Sequence, residues 1–183
     1  MLNVRTLSPS AAFARRGALV VAGSALMYLS AQIAIPMWPV PITLQTLAIP
    51  LLVALLGREL GTLAVVAYLI EGLTGLPVFQ GHSGGAAVFA GPTGGYLIGF
   101  PLAAYAVGTL YQLGLEKHVA ARFVAVFLGT AIVFVTGVTW LDVALVHDLG
   151  KSVALGVVPF VVGDLLKCLV AAALRPVRVD RAR

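Results

Sequence analysis

Charge is scarce in this chain. Of its 183 residues, 12 are Lys or Arg and 7 are Asp or Glu, together 10%, against about 25% in an average soluble domain. So few ionisable groups cannot clothe a water-soluble domain of this length, and that class is excluded. Cysteine is scarcer still. Cys168 stands alone inside an apolar run, so no intrachain disulfide forms and no cysteine pair offers metal-ligand spacing. The net charge is +5, but the basic residues sit between apolar runs instead of gathering on one solvated face, which argues against a nucleic-acid partner. Low-complexity tracts, fixed-period repeats and long linkers are also missing, so residues 1–183 read as a single membrane domain.

What is abundant is apolar. Hydrophobic residues make up 60% of the chain, against roughly 45–50% in soluble proteins, and the natural solvent is a lipid bilayer. Six apolar segments run from Gly17 to Ile35, Ile42 to Leu56, Leu60 to Leu73, Tyr96 to Leu113, Val119 to Leu141 and Val153 to Leu174. At about 20 residues per span, six spans use roughly 120 residues and leave about 60 for loops and tails. Backbone groups in lipid must pair internally, and the alternation of a membrane β-strand is absent from these runs, so the expected fold is an all-α integral membrane protein with six transmembrane helices. The second and third runs are short and Pro50 interrupts the second, which predicts kinks or shielding by neighbours.

Arg15 and Arg16 before the first run, with Ala31 and Ala34 near its end, also suit a signal peptide. Charge sidedness argues against cleavage. With both termini in the cytoplasm, Arg5, Arg15, Arg16, Arg58, Lys117, Arg122, Arg175, Arg178, Arg181 and Arg183 fall inside, Lys151 falls outside and Lys167 lies within a span. Trp38 and Trp140 then fall at outer ends, where indole prefers the interface. The tail from Arg175 is basic and expected to be disordered near anionic headgroups.

The outer side holds the irregular segments. Pro36-Met37-Trp38-Pro39-Val40-Pro41 is stiff and resists helix. The stretch from Gly75 to Gly85, followed by Gly91-Pro92-Thr93-Gly94-Gly95-Tyr96, is rich in glycine and carries Val78, Phe79, Val88 and Phe89. That composition suits a lid folded over the helix ends. In the last span, Asp164 and Lys167 stand at i and i+3 on one helical face. Ionisable groups in lipid cost a few kcal/mol, so the pair is either a helix-to-helix salt link or part of a small-molecule site. Glu71 is a weaker candidate, and Gln45 and Thr43 either line the same cavity or bond across helices.

Two enzyme-like motifs are weak. Gly81-His82-Ser83-Gly84-Gly85 matches the G-x-S-x-G nucleophile pattern but lacks the strand before it and the helix after it. Gly150-Lys151-Ser152 resembles the end of a P-loop, with Leu145 where its first glycine belongs. ATP hydrolysis by that route is excluded, and no catalytic role is expected.

Four motifs in order resemble a known family: Pro39-Val40-Pro41-Ile42-Thr43-Leu44-Gln45-Thr46, Gly75-Leu76-Pro77-Val78-Phe79, Gly91-Pro92-Thr93-Gly94-Gly95-Tyr96-Leu97-Ile98-Gly99-Phe100 and Gly163-Asp164-Leu165-Leu166-Lys167. They are similar to those of BioY, the biotin-specific substrate-binding (S) subunit of energy-coupling factor (ECF) transporters. The resemblance implies six helices and an outward-facing biotin pocket capped by loops. It also implies partnership with a transmembrane coupling subunit and cytoplasmic ATPase subunits, no cofactor other than the transported biotin, and ligand contacts from Asp164 and Lys167. The loop from Gln80 to Ser83 is not covered by these motifs. Biotin offers two ureido N–H donors, a carbonyl, a thioether bicycle and a carboxylate. Asp164 can accept from the N–H groups, Lys167 can serve the carbonyl or the carboxylate, and Tyr96, Phe79 and Trp38 are expected to enclose ring and arm. The alternatives are an S subunit for another vitamin or a small intramembrane hydrolase built on Ser83. Ala18, Ala22 and Ala25 form a small-residue face on the first span, which suits close helix approach within the subunit or to the coupling subunit.

Overall fold

A computed structural model describes residues 8–177. Arg5, Arg178, Arg181 and Arg183, and with them most of the basic tail, lie outside the described residues. The elements in chain order are α1 (Pro9–Gln32), β1 (Ala34–Ile35), β2 (Ile42–Thr43), α2 (Gln45–Leu73), α3 (Ala87–Ala90), α4 (Gly94–Leu110), α5 (Val119–Leu141), α6 (Leu149–Gly156) and α7 (Val161–Ala173). Among the described residues, five helical stretches are long and apolar enough to cross a membrane: Pro9–Gln32, Gln45–Leu73, Gly94–Leu115, Val119–Val146 and Leu149–Ala173.

One of those five is a hairpin. Gly57 in α2 has φ 80° and ψ 173°, a conformation open to glycine that reverses the chain. Beyond it, Gly61 sits against the backbone of Val53, and Tyr68 accepts a hydrogen bond from Gln45 Nε2 at 2.9 Å. In a straight helix, residues 23 positions apart would stand about 35 Å from one another. The arms 45–56 and 58–73 are therefore antiparallel, and six helical segments result. The break falls at Gly57, between the two short runs as expected, while Pro50 stays within the helix of the first arm. Both arms are shorter than a full span, and neighbours cover much of them, with Ala48, Ile49, Leu52, Val53, Ala64 and Val65 all buried.

The other helices obey their ends. Ser8 caps α1, accepting from Ala11 N, with Pro9 in the first turn, so α1 begins well before the apolar run that predicted it. It stops at Gln32 because the prolines at 36, 39 and 41 favour a two-residue ladder, Ala34 opposite Thr43 and Ile35 opposite Ile42. Asp148 caps α6 by accepting from Lys151 N at 3.1 Å, which places Lys151 in a helix and not in the expected loop. The last apolar run is likewise not one helix. A 3-10 turn at Val158–Phe160, containing Pro159, separates α6 from α7.

At one end of the bundle, charged and backbone groups lock the segments together. Arg122, buried at the start of α5, donates from Nε to Ala172 O at 2.6 Å and from Nη1 to Glu116 O at 2.9 Å. The Arg58 guanidinium stands 4.9 Å over the Tyr105 ring. Arg16 pairs with Glu59 at 3.7 Å. Val177 N donates to Ala54 O at 2.8 Å, filling a carbonyl that the turn at Gly57 leaves without its helical partner. The described start of the tail is thus tied to the hairpin.

Candidate functional site

The opposite end of the bundle holds a cavity. Its empty space, counting the mouth and the open solvent there, is about 670 Å³. The floor comes from the first turn of α2, the start of α7 and the middle of α5. The roof comes from the segment between α2 and α4. Apolar and aromatic side chains dominate the wall, among them Phe79, Tyr96, Phe100, Phe134 and Phe160.

The polar floor is one connected hydrogen-bond network. Lys167 Nζ donates to Asp164 Oδ1 at 2.6 Å, to Thr43 O at 2.8 Å and to Thr46 Oγ1 at 3.1 Å. Thr46 Oγ1 in turn donates to Asp164 Oδ1 at 2.8 Å. The pair is nearly enclosed, with 12% and 5% of its side chains exposed. An ammonium has three protons, and all three are engaged. Asp164 differs: Oδ1 is shared, whereas Oδ2 is buried and has no partner among the described residues. A buried carboxylate oxygen without a donor is costly, so the floor is complete only when something supplies an N–H or O–H. Beside this pair, Thr43 Oγ1 donates to Gln45 Oε1 at 3.1 Å and Gln45 donates to Tyr68, which fixes the amide orientation.

The wall is set by close packing. Phe79 is 2% exposed; its ring lies against Gly72, where any Cβ would overlap it, and meets Tyr68 and Phe89 edge-on at 5.4 and 5.6 Å. Tyr96 packs against Gly137 and donates its hydroxyl proton to Gly156 O at 2.9 Å. That bond ties α4 to the break before α7, and so helps to place Asp164.

Of the residues singled out from sequence, Asp164, Lys167, Tyr96, Phe79, Gln45 and Thr43 all line this cavity. Trp38 does not. The β1–β2 pairing turns Val40 and Pro41 toward the cavity but leaves Trp38 at the far tip of the hairpin, 84% exposed. Glu71 is not in the wall either; it accepts a short hydrogen bond from buried Ser24 of α1. Ala18, Ala22 and Ala25 are exposed along α1. Cys168 is buried, with Thr130 Oγ1 at 3.6 Å from its sulfur. Sequence reasoning missed Thr46, Tyr68, Phe134 and Phe160. Thr46 had a signal, since it lies one turn from Thr43; the aromatics could not be told from ordinary core.

The segment from Gly75 to Gly95 does fold over the helix ends. Phe79 is buried, and Val78, Val88 and Phe89 are half-buried against the core. Ser83 Oγ donates to Gln80 O at 2.8 Å. His82 presents Nδ1 to the Tyr28 hydroxyl at 3.4 Å and not to Ser83, so the two do not form a nucleophile and base.

Comparison with known proteins points one way. The model of the BioY family matches residues 4–183. The biotin transporter BioY of Thermotoga maritima is 44% identical over 159 residues, covering 85% of this chain and 92% of that protein. The probable biotin transporter BioY of Pyrococcus horikoshii is 38% identical, covering 88% of this chain and 94% of its own. Among solved structures, the S-component for biotin from an ECF-type ABC transporter superposes with a TM-score of 0.80 at 30% identity, covering 92% of each chain.

Proposed function

The chain belongs to the BioY family, and from that premise we propose that it is the biotin-binding S subunit of an ECF-type uptake transporter in the cell membrane. The observation that carries the reading is the unpartnered Asp164 Oδ2 on the cavity floor. Biotin brings two ureido N–H donors, and one of them completes that carboxylate. Lys167, bonded to Asp164, Thr43 and Thr46 on the same floor, holds the carboxylate in place beside the ligand. The aromatic wall then encloses the bicycle and arm. The family and fold are those of a transporter S-component and not of an enzyme.

The cavity end faces outward and both termini face the cytoplasm, because Arg15, Arg16, Arg58, Lys117, Arg122 and Arg175 cluster toward the opposite end. The chain lacks a P-loop, so partner ATPase subunits and a transmembrane coupling subunit supply the energy. The exposed alanine face of α1 is where that coupling subunit docks. Ala18→Trp with Ala22→Trp leaves biotin binding intact and abolishes co-purification of the coupling subunit; recovery at the wild-type level places the interface elsewhere. The test of the function itself is calorimetric titration of the purified chain with biotin and with an analogue methylated at both ureido nitrogens. Biotin binds and the analogue does not. Equal affinity for the two removes Asp164 Oδ2 from recognition, and no heat with biotin removes the reading.

A further inference from the structure

The turn that carries Phe79 into the cavity wall uses a backbone that a free loop would shed. Gly81 and His82 are both left-handed, with φ 68° and 55°, and a residue with a side chain, such as His82, adopts that conformation rarely. Such a conformation persists where neighbours hold it. Inside the turn, Phe79 N donates to Ser83 O at 2.9 Å. Three further backbone groups, Val78 O, Phe79 O and His82 N, are met by one side chain from the last residue of α1. Gln32 Nε2 donates to Phe79 O at 3.0 Å and to Val78 O at 3.4 Å, and Gln32 Oε1 accepts from His82 N at 3.3 Å. A side-chain amide carries donor and acceptor at the spacing of a peptide group, so it pairs with the turn much as a neighbouring strand would.

We infer that Gln32 is the latch of the cavity, a positioning residue that holds the Phe79–His82 turn closed and so sets how long a bound ligand stays. Gln32 is not among the residues lining the cavity, and it acts only by keeping Phe79 in place. The inference rests on the cavity being the biotin pocket. The bundle beneath does not need the latch, since α1 is held to α2 by Ser24 on Glu71 and by Gly23 packed against Ala64 and Leu52.

The experiment follows tritiated biotin leaving the purified full chain in a cold chase. Gln32→Leu removes all three hydrogen bonds at nearly constant size. Gln32→Glu keeps an acceptor for His82 N but offers no donor to the two carbonyls. Both variants release biotin faster, by roughly tenfold for the leucine variant, while association is not slowed and ligand-free melting is unchanged. Hydrogen exchange on the ligand-free protein shows faster exchange confined to residues 78–85. That readout needs no ligand, so it tests the latch even if wild-type protein fails to bind biotin and the functional reading falls. Wild-type release rates in whichever variants fold, unchanged exchange in the turn, or loosening spread through the bundle would each overturn the latch.

Discussion

The two ends of this bundle are held by opposite means. At the basic end, a buried guanidinium donates to helix-end carbonyls, a cation covers a ring, and the chain leaving α7 fills the carbonyl that the α2 turn leaves open. At the cavity end the floor and wall have buried bonds of their own, but the lid above them is held by neutral contacts: a side-chain amide on a loop, a tyrosine on a histidine, the Trp140 indole on Gly91 O, Gly85 N on Gly72 O, and ring edges on a glycine. Bonds of the first kind are charged or desolvated and costly to open; those of the second cost little one at a time. A molecule that must admit a ligand at one end while holding its helices in register needs this asymmetry. Substitutions at the two ends should therefore move different quantities, affinity at one and stability at the other.

The largest effect belongs to the cavity floor. Asp164→Asn and Lys167→Ala each weaken biotin binding by roughly two to three orders of magnitude, because each leaves a buried partner uncompensated. Calorimetry on purified variants that still elute as monodisperse protein measures it. Wild-type affinity in both would make the pair a structural link between α2 and α7 and nothing more.

Next comes the far end. Arg122→Ala strands the Ala172 carbonyl and opens a hole in a buried site, so the melting temperature falls by roughly 5–10 °C while biotin affinity stays within about twofold, as expected for distant, independent sites. Affinity falling in step with stability would show that the two ends are coupled and that the contrast between them is false.

How much of this contrast is legible in the sequence depends on the range of the interactions. The apolar runs announce the helices because a span's composition is set by its own solvent. Asp164 and Lys167 announce themselves because charge in lipid is rare. The reversal in α2 is legible as the gap between the runs ending at Leu56 and starting at Leu60, where Gly57 takes a φ of 80° that glycine adopts readily, whereas the disturbance expected at Pro50 is absorbed within the first arm. Trp38 was misplaced because a strand pairing of two residues decides which side of the hairpin faces the cavity. The bonds of Lys167 to Thr43 and Thr46 and the grip of Gln32 on the lid join residues 46 to 124 positions apart, and no local pattern records such partners.

A smaller effect tests the roof. Gly72→Ala puts a methyl group into the space of the Phe79 ring, and overpacking of this kind costs about 1–3 kcal/mol. Because the ring belongs to a lid, the lid yields before the helices do. Biotin affinity falls about tenfold and melting of the ligand-free protein barely changes. The reverse pattern, a lower melting point with affinity intact, would mean that the roof is as rigid as the basic end.

The smallest effect is the one expected of Ser83. Its side chain borders the cavity, and its surrounding glycines suggest a nucleophile, but its hydroxyl proton is already donated to Gln80 O within the same turn. The turn keeps its Phe79 N to Ser83 O bond whatever side chain stands there, and Gln32 holds the turn from outside. Ser83→Ala therefore removes one exposed hydrogen bond, worth about 0.5–1 kcal/mol at most, and biotin affinity changes by less than about threefold. Equilibrium binding of labelled biotin resolves that difference from the losses expected at Asp164 and Gly72. A loss as large as that of Asp164→Asn would place the serine hydroxyl on the ligand, and the cavity end would then recognise biotin from its roof as well as from its floor.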